Sequence, residues 1–343
     1  MIVDDSPVAR AVLSRMLSAY KEFEVVALAA DAGEALDALR DSDVDVVLLD
    51  VEMPGTSGIQ VLPQILESGD GAQVLIVSSH CEDGAEAAVE ALALGAADTL
   101  PKPGTGQFSG RFADVLADRL RKIGRASRER QPRETSVTTT PPSPVRLRPM
   151  PNEPLECLAL GASTGGLHAL NEFFAAIPQK IHVPILITQH LPAVFMPFFA
   201  RQIETASGRH ARVAEAGYRL RHDEIVVAPG DAHLGLRRCG SFVSIELVDT
   251  PASSGCMPSV DTMLSAVADA YGPGGLAVVM SGMGRDGLVG SARLVEQGGT
   301  AIVQDQASSA VWGMPRAVAD AGLASAVGTP ADLAKCVAAR AQR

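Results

Sequence analysis

Along the first third of the chain, apolar residues fall in short continuous runs separated by stretches with helical spacing. Residues 1–4, 24–29, 44–49 and 73–78 are runs of strand length, the last two rich in Val, Ile and Leu, and a fifth strand ends at Lys102. Runs that are apolar throughout, rather than alternating, mark strands buried on both faces. Between them, residues 7–20, 32–41, 58–68, 84–94 and 108–123 carry helical patterns, with apolar positions three and four apart. Five strand–helix units in alternation predict a parallel, doubly wound sheet with right-handed crossovers. The pattern stops near residue 124 and resumes near 155. Strand runs then fall at 155–160, 183–188, 225–228, 242–247, 276–281 and 300–303, and helical patterns at 165–176, 195–207, 261–270, 286–297, 314–321 and 331–342. This predicts a second doubly wound α/β domain, with no internal repeat relating it to the first.

The interruption, Gly124–Pro154, is dense in proline and includes Thr138-Thr139-Thr140-Pro141-Pro142-Ser143-Pro144. Prolines at this density oppose helix and central strand, and few residues here can enter a core. Six arginines against three glutamates make it locally basic, which fits a solvated tether. The expected organisation is a first domain at 1–124, a flexible linker at 125–153 and a second domain at 154–343. A length of 343 residues suits two domains.

Composition narrows the function classes. A net charge of −11 and only 4% aromatic residues argue against a nucleic-acid binder, which needs a basic face or stacking platforms. Five cysteines, at 81, 157, 239, 256 and 336, are odd in number and lack C-x-x-C spacing, so neither a disulfide framework nor a zinc finger is indicated. No apolar run approaches ~18 residues, and two acids follow Met1-Ile2-Val3, unlike a signal peptide. The expectation is a soluble cytoplasmic protein, not embedded in a membrane.

Ligands of open α/β sheets bind at the carboxyl ends of the strands. In the first domain those ends carry Asp4 and Asp5, then Asp50, Ser78 and Lys102. Three clustered carboxylates repel one another unless a hard cation such as Mg²⁺ neutralises them. Asp50 is then placed to act as a nucleophile toward an activated phosphoryl group, with Lys102 pairing the central carboxylate and Ser78 donating to the added group. Asp50-Val-Glu-Met-Pro-Gly-Thr-Ser-Gly58, with the acidic pair, Ser78 and Lys102-Pro103 in order, resembles the response-regulator receiver family over residues 1–124. The resemblance implies a flavodoxin-like domain. In it, Asp50 takes phosphate from a histidine kinase, and Asp5 and Asp50 hold Mg²⁺ with a backbone carbonyl near Glu52. Thr99 stands where such domains often carry an aromatic residue.

In the second domain, strand 155–160 runs into Gly161-Ala-Ser163-Thr-Gly165-Gly166 and then a helix. This is the strand–turn–helix context of a nucleophile elbow, G-x-S-x-G, with free N–H groups at the helix start for an oxyanion. A dinucleotide fingerprint fails on spacing, since Ser163 stands where its second glycine belongs. A serine nucleophile needs a base and an orienting carboxylate. His190 ends the next strand. Among the other histidines, His80 lies in the first domain, His168 is the local competitor, and His182, His210, His222 and His233 lack a strand-end position. Asp286 lies in Gly282-Met-Gly284-Arg-Asp286-Gly287, after another buried strand, where it also suits an N-cap of the following helix. Cys256, a rival nucleophile, has no strand end or base beside it in the sequence and is set aside.

Gly161-Ala-Ser-Thr-Gly-Gly166, Thr188-Gln-His-Leu191, Ala228-Pro-Gly230, Pro258-Ser-Val-Asp261 and Ser281-Gly-Met-Gly-Arg-Asp-Gly287 resemble the catalytic domain of the chemotaxis protein-glutamate methylesterases. Cys256-Met257 stand where that family often has a basic residue. The resemblance implies a Rossmann-like serine-hydrolase domain that removes glutamate methyl esters, and deamidates glutamines in some members, on chemoreceptor cytoplasmic helices. Ser163 is then the nucleophile, His190 the base and Asp286 its orienter. Backbone N–H groups of Thr164 and Met283 hold the oxyanion, and ester hydrolysis needs no cofactor. The domain order implies a receiver that blocks the catalytic edge until phosphorylated. Two other readings remain: a phospho-switched hydrolase or amidase acting on a different protein, and a response regulator with an inert output domain.

Overall fold

The structure, a computed structural model, describes residues 1–78, 82–102, 110–130 and 147–342. Its contacts divide the chain into two compact units, Met1–Val137 and Thr138–Arg343.

In the first unit, strands β1 (Ile2–Val3), β2 (Leu28–Ala29), β3 (Val46–Leu49), β4 (Gln73–Ser78) and β5 (Asp98–Pro101) form a parallel sheet in the order β2-β1-β3-β4-β5. Helices α1 (Pro7–Leu17), α2 (Ala32–Asp41), α3 (Gly58–Ser68), α4 (Glu82–Ala93) and α5 (Gly110–Arg130) cross between them. Ile2, Leu48, Leu75 and Val77 of the sheet pack with Leu13, Leu17, Leu116 and Leu120 of α1 and α5 in one core. Strand order reverses between β1 and β3, which opens a crevice at their carboxyl ends. Helix α5 continues to Arg130, beyond the expected end at 123. Its sequence there is Arg, Ala, Ser and Glu, mostly good helix formers, and the first proline is Pro132. Residues 131–146 of the expected linker, together with His80, Cys81 and Pro103, lie outside the described residues.

The second unit is built on seven parallel strands in the order β14-β13-β12-β6-β7-β9-β8. They are β6 (Cys157–Ala162), β7 (Ile185–Gln189), β8 (Ala211–Val213), β9 (Ile225–Val227), β12 (Gly275–Val279), β13 (Thr300–Gln304) and β14 (Ala324–Gly328). Helices α6 (Gly166–Ala176), α7 (Met196–Ser207), α8 (Val260–Tyr271), α9 (Leu288–Glu296), α10 (Met314–Asp320) and α11 (Pro330–Ala341) accompany them. The run expected as a strand at 242–247 is β11 (Phe242–Val248), which pairs antiparallel with β10 (His233–Cys239) in a separate hairpin. Strands β8, β10 and β14 were not expected from the pattern. β8 has three residues, β14 is mostly Ala, Gly and Ser, and β10 carries Arg237 and Arg238. The end of the expected linker attaches to this unit, with Arg148 N–H donating to Ala324 O at 2.9 Å and Arg340 Nε to Glu153 O at 3.2 Å. From β6 the chain winds one way to β7 and the other way to β12, so the switch point lies between β6 and β12. Among the described residues, no helix is long and apolar enough to cross a membrane.

Candidate active site and acidic pocket

In the first unit, the reversal of strand order brings the ends of β1 and β3 side by side. Carboxylate oxygens of Asp4, Asp5 and Asp50 lie within 4.8 Å of one another. Asp4 and Asp50 are buried and Asp5 is exposed. Lys102, at the end of β5, reaches Asp50 Oδ2 at 2.6 Å and Asp4 Oδ2 at 2.8 Å. Burial pushes the Asp50 carboxyl above its ordinary range, partly offset by Lys102. Burial works against the Lys102 ammonium, but the two carboxylates outweigh it and hold its pKa above the ordinary value. Ser78, fully buried at the end of β4, has a hydroxyl without a hydrogen-bond partner among the described residues. An orphan hydroxyl is costly unless a ligand uses it. All-oxygen donors and this waiting hydroxyl fit a Mg²⁺ ion and a phosphoryl group. Thr99, in the position noted for an aromatic residue, is buried, and its hydroxyl is also unpartnered among the described residues.

In the second unit, Ser163 follows β6, His190 follows β7 and Asp286 lies in the turn after β12. Register pairs Ala162 with Gln189, so Ser163 and His190 are the next residues out on adjacent strands. His190 N–H donates to Ala162 O at 3.2 Å. The Ser163 turn is held from three sides. Its N–H donates to Ser281 O at 2.9 Å, its carbonyl accepts from Gly166 N at 2.8 Å, and the carbonyl also accepts from Gln189 Nε2 at 2.8 Å. Gly165 sits at φ +71°, and a Cβ there would lie 2.2 Å from Ala310 Cβ, so the helix start admits only glycine. Gly282 has Ser163 Cβ 2.8 Å from its own ideal Cβ position, so the turn after β12 packs directly on the serine.

His190 Nε2 lies 2.8 Å from Asp286 Oδ2. Asp286 is buried, and its carboxylate accepts from Ser259 Oγ at 2.8 Å, Val260 N at 2.7 Å and Asp261 N at 3.1 Å. The side chain therefore caps α8. It does not cap α9, whose N-cap is Gly287 with no side-chain bond. Burial opposes the charge, yet His190 and the α8 amides hold Asp286 well below the usual carboxylate range. For His190, burial lowers the pKa, but Asp286 and Cys256 outweigh it and raise it to about 9. Asp261, next to Asp286, is pushed up to about 6 by burial and the neighbouring charge, and accepts from Gly290 N at 2.8 Å. Thr164 is next to Ser163 in the chain, and Met283 follows Gly282, whose ideal Cβ position lies 2.8 Å from Ser163 Cβ. The Thr164 carbonyl accepts from Ser281 Oγ at 2.7 Å, which ties the two turns together.

The competing histidines fall elsewhere. His168 lies half-exposed on α6, 3.5 Å from Glu172, while His182, His210 and His222 are on the surface. His233 is fully buried behind the site. Ser259 N–H donates to its Nδ1 at 2.9 Å, and its Nε2 donates to Thr250 O at 3.0 Å. The support that Ser259 and His233 give the site was not visible in the sequence, where His233 was weighed only as a base. The signal for Ser259 was its place in Pro258-Ser-Val-Asp261, whereas His233 left none. One ground for setting Cys256 aside is overturned. The loop before α8 brings Cys256 Sγ into a cluster with His190 and Asp286, all within 4.8 Å. A base therefore does neighbour that thiol, and only the fold reveals it.

Two doubly wound domains, one with an Asp/Lys pocket and one with Ser, His and Asp at its switch point, describe a receiver joined to an α/β hydrolase. Residues 158–337 match the CheB methylesterase family and residues 1–107 the response regulator receiver domain. A protein-glutamate methylesterase/protein-glutamine glutaminase of Caulobacter vibrioides is 40% identical over 100% of this chain and 98% of its own length. One from Paramagnetospirillum magneticum is 38% identical over 95% of this chain and 92% of its own. The Thermotoga maritima CheB methylesterase catalytic domain is 30% identical, with a TM-score of 0.53, covering 54% of this chain and 98% of that structure. The chain belongs to the CheB methylesterase family and is an enzyme of that family with a receiver domain.

Proposed function

We propose that this chain hydrolyses methyl esters of glutamate side chains on chemoreceptor cytoplasmic helices, through an acyl-enzyme on Ser163. One observation carries the catalytic reading: a buried Asp286, held by Ser259 Oγ and two α8 amides, lies 2.8 Å from His190, which borders the glycine turn of Ser163. His190 takes the Ser163 proton as Oγ attacks the ester carbonyl, then gives it to the departing methoxide, and methanol leaves. The Thr164 and Met283 N–H groups stabilise the oxyanion. His190 next removes a proton from water, which attacks the acyl-enzyme, and returns that proton to Ser163 Oγ as the glutamate carboxyl group leaves. A glutamine amide can follow the same route and release ammonia, consistent with the names of the relatives. None of these steps calls for a metal or cofactor.

Control is assigned to the receiver. Asp50 accepts a phosphoryl group from a histidine kinase, and Lys102 and Ser78 contact its oxygens. Asp4, Asp5 and Asp50 would hold Mg²⁺, which when bound neutralises charge on the transferred phosphoryl group. The new charge shifts a population between blocked and open catalytic edges. The chain acts in the cytoplasm, where receptor helices and kinase are available.

The test is methanol release from methylated receptor by full-length protein, with and without acetyl phosphate and Mg²⁺. Ser163→Ala is expected to lose at least about 10³-fold in rate, and Asp50→Asn to lose the phosphodonor response. A Ser163→Ala protein as fast as the wild type refutes the nucleophile. An Asp50→Asn protein that is still activated refutes the phosphoacceptor.

A further inference from the structure

Cys256 takes no bond-making or proton-transfer step in the hydrolysis proposed above, yet it stands at the same imidazole. Its Sγ, a ring nitrogen of His190 and a carboxylate oxygen of Asp286 lie within 4.8 Å of one another. Thiol, imidazole and carboxylate are the donor set of zinc-class ions, whereas Mg²⁺ prefers oxygen alone. The three donors come from separate segments: the end of β7, the loop before α8 and the turn after β12. Asp286 is fixed by Ser259, Val260 and Asp261, and the 2.8 Å contact between His190 Nε2 and Asp286 Oδ2 is a hydrogen bond that an ion bridging the two residues would replace. The third, Cys256, is partly exposed, its Sγ 3.9 Å from Ser254 O and hydrogen-bonded to His190. A cation can therefore approach from the thiol side, and three protein donors leave a fourth tetrahedral position for water.

We propose that Cys256, His190 and Asp286 form an inhibitory site for a thiophilic divalent cation of the zinc class. The proposal rests on the reading of His190 as the catalytic base. On binding, the Cys256 thiol gives its proton to solvent and Sγ bonds the ion. The His190 imidazolium releases a proton to solvent, the freed nitrogen donates its lone pair to the ion, and the imidazole can no longer take the Ser163 proton. No electrons are transferred. The all-carboxylate pocket at Asp4, Asp5 and Asp50 offers no soft donor, and the two clusters sort cations by softness.

The experiment uses full-length protein saturated with Mg²⁺ and a series of buffered free Zn²⁺ concentrations. Methanol release is normalised to each variant's metal-free rate. The wild type is expected to lose activity and recover it with a chelator. C256S and C256A are expected to need more than about tenfold higher free Zn²⁺ for half-inhibition. Co²⁺ added to metal-free protein is expected to give a thiolate-to-cobalt charge-transfer band in the wild type and in S163A, but not in C256S. Equal Zn²⁺ sensitivity of C256S and wild type, or a cobalt spectrum without the thiolate band, overturns the proposal. If S163A keeps its methanol release, the nucleophile assignment fails, while the cobalt band still decides the metal site.

Discussion

Ester hydrolysis by this chain is expected to rise about fiftyfold between about pH 7 and about pH 9. The reason lies in the surroundings of His190. Burial alone would keep its imidazole neutral, but Asp286 at 2.8 Å and the Cys256 thiol outweigh burial and raise the pKa to about 9. Only the neutral ring accepts the Ser163 proton. Two units below that value, roughly 1% of the enzyme carries a competent base, so log kcat/KM climbs by about one per pH unit and then flattens. Cys256→Ala removes one of the two groups that raise the pKa and leaves Asp286 in place. The midpoint should fall, and each unit of that fall should increase kcat/KM near pH 7 by about tenfold. The assay is methanol release from methylated receptor across the pH range, with S163A supplying the background. A plateau already reached near pH 7, or a C256A midpoint at or above that of the wild type, refutes the reasoning. Stability moves the other way. A folded-state pKa above the unfolded value of about 6.5 stabilises the protein fully below that value, and the contribution is lost as pH rises through about 9. Rate and stability should therefore cross over the same interval.

Other outcomes follow from the packing. His233→Leu leaves the buried Ser259 N–H and the Thr250 carbonyl without their partner, at a cost of about 1–3 kcal/mol in urea unfolding. It should also lower kcat more than KM, because Ser259 supports Asp286. Wild-type stability and kcat in this variant would refute that support. Gly282→Ala drives a methyl group to 2.4 Å from Met314 Sδ and 2.8 Å from Ser163 Cβ. Overpacking of about 1–3 kcal/mol is expected, with kcat falling through displacement of the serine turn; an unperturbed Tm and kcat would contradict the close approach.

Local pattern carried a large part of the architecture. All five strands and five helices of the first unit appear near the positions their runs predict, because strands buried on both faces must be apolar throughout. What the pattern missed was short or atypical. The β10–β11 hairpin did leave a signal, Gly240-Ser241 between two runs, with Gly240 at φ +60° as a tight turn requires. Arginines on the exposed end of β10 masked it. Helix α5 outran its expected end because helix-forming residues continue until Pro132.

The chemistry divides along the same line. Which residues can serve as nucleophile, base, acid or cation ligand is written in residue type and in position at strand ends, so Asp50, Lys102, Ser163, His190 and Asp286 stand out as candidates one by one. Their surroundings do not. That Asp286 caps α8, that a buried His233 fixes Ser259 behind it, and that Cys256 lies against the imidazole all depend on segments dozens of residues apart being folded onto one edge. Strand periodicity reports burial along a segment, and it contains nothing about which distant loop meets that segment. The sequence by itself determined two doubly wound domains and the inventory of reactive groups. Tertiary structure alone decided who neighbours whom, and through burial and neighbouring charge it set the pKa of His190 and the state of Asp286.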